Sequence, residues 1–529
     1  MSPPSDTAAL DRIDESSKSL VTWTWLLILL GLPLQCLTIA VQPYVPLVDF
    51  PNHMARHVLE ADQLAGRELP EFYGVHYRVV PNLGADLVVP PLVLVLGPFA
   101  ACKLFLMLAV IVYWLGPALY LRQVNDGKPS ALFAALLLVP LTMSSQFFWG
   151  FLNYYSGFGL AFMLLTHGVR LQRRETARVW EWPLHATLVA LLFLWHLAAW
   201  GIYGVLMGSH VAVELATCNR QGASVGALSK RALAFVALWT PGAMLFAIYL
   251  WQKSGDGVGE TNWGTLVRKL YMPLTLFRSY DLASDVIVIV TWLLAAGLLF
   301  VGSRRSTASD ALPPSGADPS FPTVRTDAGS RPHLLGLVLL GGLYIAIPFQ
   351  LGDISDIDSR LLPAILVIAL AAVSSLPVRR FRWGVILLVL CLLVRQGSIA
   401  VAWHEQSRRL QAHAHAFDSL ETHSRMLPLV LVPQLSKDYP ETHFVCWAVV
   451  THRAFVPTLF AYRDQPLQLH APARLPAMKS GDGWEFDEAK VRESYDFVWI
   501  YNPGNVAVAM PSSFVMVFAA EGLKLWRVH

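Results

Sequence analysis

Ten residues that follow the first long apolar run, Val48 to His57 (VDFPNHMARH), hold an acid, two histidines and an arginine. On a helix, His53, His57 and Glu60 fall on one face at spacings of four and three. His53 and His57 form H-x-x-x-H, a spacing that can turn two imidazoles toward one metal with an acid completing the shell. Asp49 precedes Pro51, which is also a good helix start, so a surface helix capped by Asp49 accounts for the same residues without any ligand.

A second group lies in FQLGDISDIDSRLLP, where Asp353, Asp356, Asp358 and Arg360 stand just before an apolar run that begins at Leu361. Three acids and an arginine there can cap two helices. They can also hold a cation or a phosphate, since arginine binds phosphate oxygens as a fork. Lys103 and Arg395 fall inside apolar runs, where a charge is costly and marks function unless the side chain snorkels to the interface, the reading favoured for Arg395. His196 and the stretch QFFWGFLNYYSG from Gln146 fit an aromatic belt. The histidines of the C-terminal segment, His413 and His415 among them, lack a metal-like pattern with cysteine and read as surface residues.

The elements that must position these groups are set by composition. Of 529 residues, 55% are hydrophobic and 15% charged, with a mean hydropathy of +0.47, which excludes an ordinary soluble globular protein. A helix needs roughly 20 apolar residues to cross a bilayer, and about eleven such runs follow one another from Leu20 to Trp403. The fifth and sixth, Leu184 to Leu197 and Ala199 to Ala216, are short enough to be one hairpin. Basic residues collect in every second connection: Arg122 and Lys128; Arg170 to Arg178; Arg220, Lys230 and Arg231; Arg304 to Arg331; Arg379 to Arg382. Those connections are cytoplasmic by the positive-inside rule, with the N-terminus inside and the C-terminus outside. The net charge of +3 and the lack of a basic tract exclude a nucleic-acid partner. Five cysteines, four of them in or beside apolar runs, exclude a disulfide framework.

The expected organisation is a cytoplasmic tail (1–19), a transmembrane domain (20–403) and a small extracytoplasmic α/β domain (404–529). The tail leads into an uncleaved first span. The loop Gly302 to Pro332 is too polar to pack and reads as a disordered linker. Two long external loops, Pro43 to Pro90 and Gln252 to Ser284, lie on one face, and the second carries Gly255, Gly257 and Gly259 as a mobile cover would. In the last segment, strand-like runs begin at Met426, Phe444 and Tyr495, with a terminal pair around Glu521-Gly522.

This layout resembles the GT-C superfamily of membrane glycosyltransferases, the group that includes protein O-mannosyltransferases and the aminoarabinose transferase of lipid A. The matching features are Asp49 in VDFPNH after the first span, the long first external loop, Lys103 in ACKLF of the second span, Arg360 in SRLLP at the start of a late span, and a C-terminal extracytoplasmic domain. Phe50 follows Asp49 where the O-mannosyltransferases have a second acid, which leaves the metal requirement open. The resemblance implies a polyprenyl-phosphate sugar donor in a bacterial-type inner membrane and a glycolipid, polysaccharide or protein acceptor. Asp49 would be the general base, Arg360 and Lys103 would bind the donor phosphate, and His53, His57, Asp353, Asp356 or Asp358 would hold sugar or a divalent metal ion. A transporter or flippase for a lipid-linked glycan and a non-catalytic scaffold of the same fold are the alternatives.

Overall fold

The computed structural model describes residues 28, 30–127, 129–173, 178–253, 260–301, 330–352, 354–373, 381–433, 436–461, 465–470, 477–480 and 483–529. The expected tail, nearly all of the linker, Asp353 and the three glycines of the second external loop lie outside them. Two compact units emerge. One comprises Met1–Gln35, Ala109–Ser144 and Tyr154–Gly397; the other comprises Cys36–Leu108, Ser145–Asn153 and Ser398–His529.

Among the described residues, five helices are long and apolar enough to cross a membrane: Pro98–Val124, Ser130–Trp149, Leu197–Arg220, Val225–Lys253 and Trp383–Ser419. Shorter apolar helices are Leu30–Ala40, Gly84–Leu96, Glu181–Trp195, Leu282–Leu298 and Arg331–Ala346. Helices are the expected form because a chain in lipid must pair its backbone groups within each segment. Leu233, Leu293 and Val338 stay 67%, 56% and 70% exposed, an apolar surface that suits lipid and would be a liability in water.

The first unit is helical. The fifth and sixth expected spans are two separate helices, Glu181–Trp195 and Leu197–Arg220, divided at His196, whose backbone is extended and whose Nδ1 accepts from Ala199 N to cap the second. Two helices of this unit cross at Gly116 and Gly159, where a Cβ on Gly116 would lie 2.0 Å from the Gly159 carbonyl oxygen. Small residues at a crossing let the backbones approach this closely.

The second unit holds helices α1 (Phe50–Leu64) and α2 (Gly84–Leu96) and the first part of α3 (Pro98–Val124). Its strands include β1 (Tyr73–Val75), β2 (Met426–Val430), β3 (Leu467–Leu469), β4 (Phe497–Tyr501), β5 (Val515–Ala520) and β6 (Leu523–Arg527). The main sheet runs β5-β6-β4-β2, with β2 parallel to β4 and the other pairs antiparallel. The β5–β6 hairpin turns at Glu521 (φ +40°) and Gly522 (φ +83°), the twisted two-residue loop that hairpins prefer.

The C-terminal segment does not pack by itself. Strand β3 pairs antiparallel with β1 of the first loop, the Tyr73 hydroxyl accepts from Val456 N at 2.8 Å, and Arg453 bonds Asp62 at 2.5 Å. Across the expected boundary at Trp403, one helix, Phe381–Ala414, runs without a break, because polarity changes there but no proline interrupts the helix.

One expected strand is corrected. The apolar run from Phe444 is helical, a 3-10 turn Pro440–Cys446 followed by the helix Trp447–His452. Phe444 to Val450 are all buried, and a short run buried on every side carries no period that separates strand from helix.

Candidate active site

Helix α1 begins at Phe50 with Pro51 in its first turn, and Asp49 occupies the capping position. The Asp49 side chain makes no capping hydrogen bond, so a helix cap does not explain this acid. Its backbone is held instead by the segment Ser145–Trp149 and the glycine after it. Val48 N donates to the Phe148 carbonyl at 3.3 Å and Asp49 N to the Trp149 carbonyl at 3.0 Å. Gly150 has φ +92°, and a Cβ there would stand 3.2 Å from Asp49 Cβ. Glycine is needed both for the dihedral and for the space.

His443 from the C-terminal segment completes this end. Its Nε2 lies 3.6 Å from Asp49 Oδ1, with the two side chains 20% and 14% exposed. The tautomer follows from Asn52, which is fully buried. Asn52 Oδ1 accepts from Phe460 N at 2.6 Å, and Nδ2 donates to the Thr458 carbonyl at 3.1 Å and faces His443 Nδ1 at 3.4 Å. Nδ1 is therefore the acceptor, and the proton sits on Nε2, turned toward Asp49. Burial lowers the His443 pKa to about 4, so the ring is neutral at pH 7.

One turn further along α1, the His53 ring lies parallel to that of His57, with centroids 6.3 Å apart, and meets the edge of Phe460. Burial, with Arg56 nearby, holds His53 well below the usual histidine range. The expected pairing of His53 with His57 on one metal is not what this face assembles. His57 Nδ1 lies 3.0 Å from Glu60 Oε2 and 3.9 Å from Asp86 Oδ1. Arg56 Nε stands 2.7 Å from the same Asp86 oxygen, and Arg56 Nη1 donates to Gln465 Oε1 at 2.7 Å. Arg56, His57, Glu60 and Asp86 are each at most 1% exposed. Desolvation drives Glu60 up to about 7 against the pull of Arg56, raises Asp86 to about 7 and lowers His57 to about 3.

Lys103 lies on α3, and its ammonium donates to the carbonyls of Gln42 (2.5 Å) and Ala40 (3.4 Å). Those carbonyls end the helix Leu30–Ala40, where a cation is favourable.

In the first unit, Arg360 sits in the 3-10 turn Asp358–Leu361. Its carbonyl accepts from the Tyr154 hydroxyl at 2.6 Å, and its Nη2 reaches the Ser355 carbonyl at 3.4 Å. Asp356 and Asp358 are ion-paired with Arg268, at 3.0 and 2.8 Å, and Lys269 is 3.7 Å from Asp358. Arg268 also stacks on Phe349 at 3.8 Å. The second external loop is thus tied down over its described part, with Thr261–Asn262 paired to Gln350–Leu351.

Three expectations are corrected. Arg395 does not snorkel: it is 2% exposed, because its two terminal nitrogens find inward acceptors in the carbonyls of Phe277 and Met143. Phe147, Phe148, Tyr154 and Tyr155 are core residues, not a belt, and His196 is buried with them. Not all C-terminal histidines are on the surface, since His413 is fully buried and His443 faces Asp49.

No known protein family matches the chain, and no curated protein does. Solved structures do. Aminoarabinose transferase ArnT from Cupriavidus metallidurans in the apo state superposes with a TM-score of 0.51 at 9% identity, covering 96% of this chain and 98% of that one. The same enzyme bound to undecaprenyl phosphate gives 0.52 at 11% identity, with the same coverage. Arabinofuranosyltransferase AftD from Mycobacteria gives 0.48 at 15% identity over 97% of this chain and 40% of that one. The chain shares the fold of these solved structures, mostly helical with C-terminal strands. Within that fold it is similar over nearly its whole length to ArnT.

Proposed function

We propose that this chain is a glycosyltransferase that moves a sugar from a polyprenyl-phosphate carrier to an acceptor hydroxyl at the outer face of a bacterial-type inner membrane. The observation that carries the reading is the state of Asp49: a carboxylate at a helix start that does not cap the helix, is clamped through its backbone, and faces a neutral histidine. Its fold adds support, since a solved structure of that fold holds undecaprenyl phosphate.

In this reading the acceptor oxygen attacks the anomeric carbon while Asp49 takes its proton. The bond from that carbon to the phosphate oxygen breaks, and the polyprenyl phosphate leaves with the electron pair. A single displacement inverts the anomeric centre. The His443 Nε2 proton orients the Asp49 carboxylate before the transfer. Arg360 offers a planar guanidinium to the donor phosphate. Lys103 has three ammonium donors, two of which serve the carbonyls of Ala40 and Gln42, and the third is assigned to the donor phosphate. His53 is assigned to the sugar hydroxyls. The acceptor is a glycolipid, a polysaccharide or a protein, and the N-terminus is cytoplasmic with the C-terminal segment extracytoplasmic.

The test is mass spectrometry of envelope glycans and glycolipids from a deletion strain complemented with wild type or Asp49→Asn. Loss of one sugar on deletion, restored by wild type alone, is the expected result. Equal restoration by Asp49→Asn would remove the base and move a scaffold or transport role ahead.

A further inference from the structure

We propose that His57, Glu60 and Asp86 hold one divalent cation of the zinc class, which clamps α1 to α2 inside the first loop. The proposal stands independently of the transferase reading, because it concerns binding and not sugar transfer.

Convergence is the first observation. Among the described residues, these three form the group of His, Cys, Asp and Glu side chains whose ligand atoms all lie within 4.8 Å of one another. Two ligands at about 2.1 Å from a tetrahedral ion are about 3.4 Å apart. The separations of 3.0 Å from His57 Nδ1 to Glu60 Oε2 and 3.9 Å to Asp86 Oδ1 lie on either side of that value.

A second observation is independent of the first. Asp86 Oδ1 and Oδ2 and Glu60 Oε1 are buried acceptors with no hydrogen-bond donor in the structure. Arg56 Nε approaches Asp86 Oδ1 but is itself without a hydrogen-bond partner, so that contact neutralises charge without satisfying the oxygen. Buried carboxylate oxygens without donors are costly, and native proteins supply either a proton or a metal.

Donor type selects the ion. Arg56 offsets one of the two carboxylates, and the neutral imidazole of His57 offsets neither, so the ionised cluster retains one negative charge. A divalent cation would leave the cluster at +1, so the unsatisfied oxygens and the donor set, not the charge balance, favour a metal here. One imidazole nitrogen with two carboxylate oxygens suits Zn²⁺ or Mn²⁺, whereas Ca²⁺ and Mg²⁺ prefer oxygen alone. Asp86 opens α2 and the other two ligands lie on α1. One ion would therefore join the two helices that bracket the first loop, a few turns from Asp49.

Full-length, tag-free protein in detergent, stripped with EDTA, is loaded with ZnCl₂ or MnCl₂ and desalted, and metal is counted by plasma mass spectrometry. Wild type is expected to retain about one ion per chain and to melt at a higher temperature with metal than without. Glu60→Gln and Asp86→Asn should bind at least tenfold more weakly, and Asp49→Asn should bind as wild type does. Retention below about a tenth of an equivalent by wild type, with no rise in its melting temperature, overturns the proposal and leaves a proton shared by Glu60 and Asp86. Equal uptake by the variants assigns the metal to other histidines and also overturns it. Where a variant fails to fold, the wild-type count and melting shift decide alone. Because Asp49→Asn separates the two outcomes, metal binding can hold while the transferase reading fails, or the reverse.

Discussion

Replacing Gly150 by alanine perturbs the candidate base without touching its carboxylate. At φ +92° the new side chain meets a dihedral that L-residues avoid, at a cost of about 1–2 kcal/mol. Its Cβ would lie 3.2 Å from Asp49 Cβ, 3.3 Å from Asp49 N and 3.4 Å from Phe50 N. Two of those three atoms are backbone, so Asp49 must move by a few tenths of an ångström. Because a misplacement of about 1 Å can cost roughly a hundredfold in rate, a shift of that size should lower kcat about tenfold with KM little changed. Total destabilisation should be about 2–3 kcal/mol, seen as an earlier loss of the monodisperse peak in heated size-exclusion runs. The assay is transfer of sugar from the polyprenyl-phosphate donor identified by the deletion experiment, at saturating donor, with Asp49→Asn as the floor. Unchanged kcat in a folded Gly150→Ala protein would refute the claim that the Trp149-Gly150 turn positions a catalytic carboxylate.

Asn52→Leu should destabilise the second unit by about 1–3 kcal/mol, since it strips Phe460 N of its acceptor and the Thr458 carbonyl of its donor; chemical denaturation of wild type and variant measures it. Between pH 6.5 and about 4, unfolded His443 takes a proton that the native state refuses, so stability falls as the pH drops through that window. His443→Gln should flatten part of this slope in a pH series of melting temperatures, although His57, also lowered by burial, contributes in the same direction. Arg268→Ala should cost roughly 3 kcal/mol by leaving Asp358 buried beside Lys269 alone, and thermal unfolding should show that Arg268→Ala with Asp358→Asn loses less than Arg268→Ala. Lys103→Met should lower the melting temperature by the equivalent of about 1–2 kcal/mol, through two carbonyls left without their donor.

The fold class was legible because membrane helices follow from local hydropathy, a sum over neighbours in the chain that needs no tertiary information. His53, His57 and Glu60 were legible for a related reason, since the helical period alone places them on one face of α1, and Asp49 stood out by its place between the first apolar run and that helix. The strands at Met426, Phe497 and the β5–β6 hairpin could also be read, each from a run bounded by turn residues.

Other features had no local signal. Asp86 reads as an ordinary first-turn acid of α2, and only the packing of α2 on α1 brings it to His57 and Glu60. His443 stands just before a run that reads as a strand, with nothing local to mark it, yet it reaches Asp49 because β3 pairs with β1 and the C-terminal segment folds with the first loop. Gly150 and Arg268 looked like belt and loop residues, although one makes room for Asp49 and the other pairs two of the expected ligand acids. Hydropathy and period depend on neighbours in sequence, and they determined the membrane class, the helix α1 and the acid at its head. Charge pairing, burial and close approach depend on residues distant in sequence, so only the tertiary structure decided which groups surround that acid and which are already engaged.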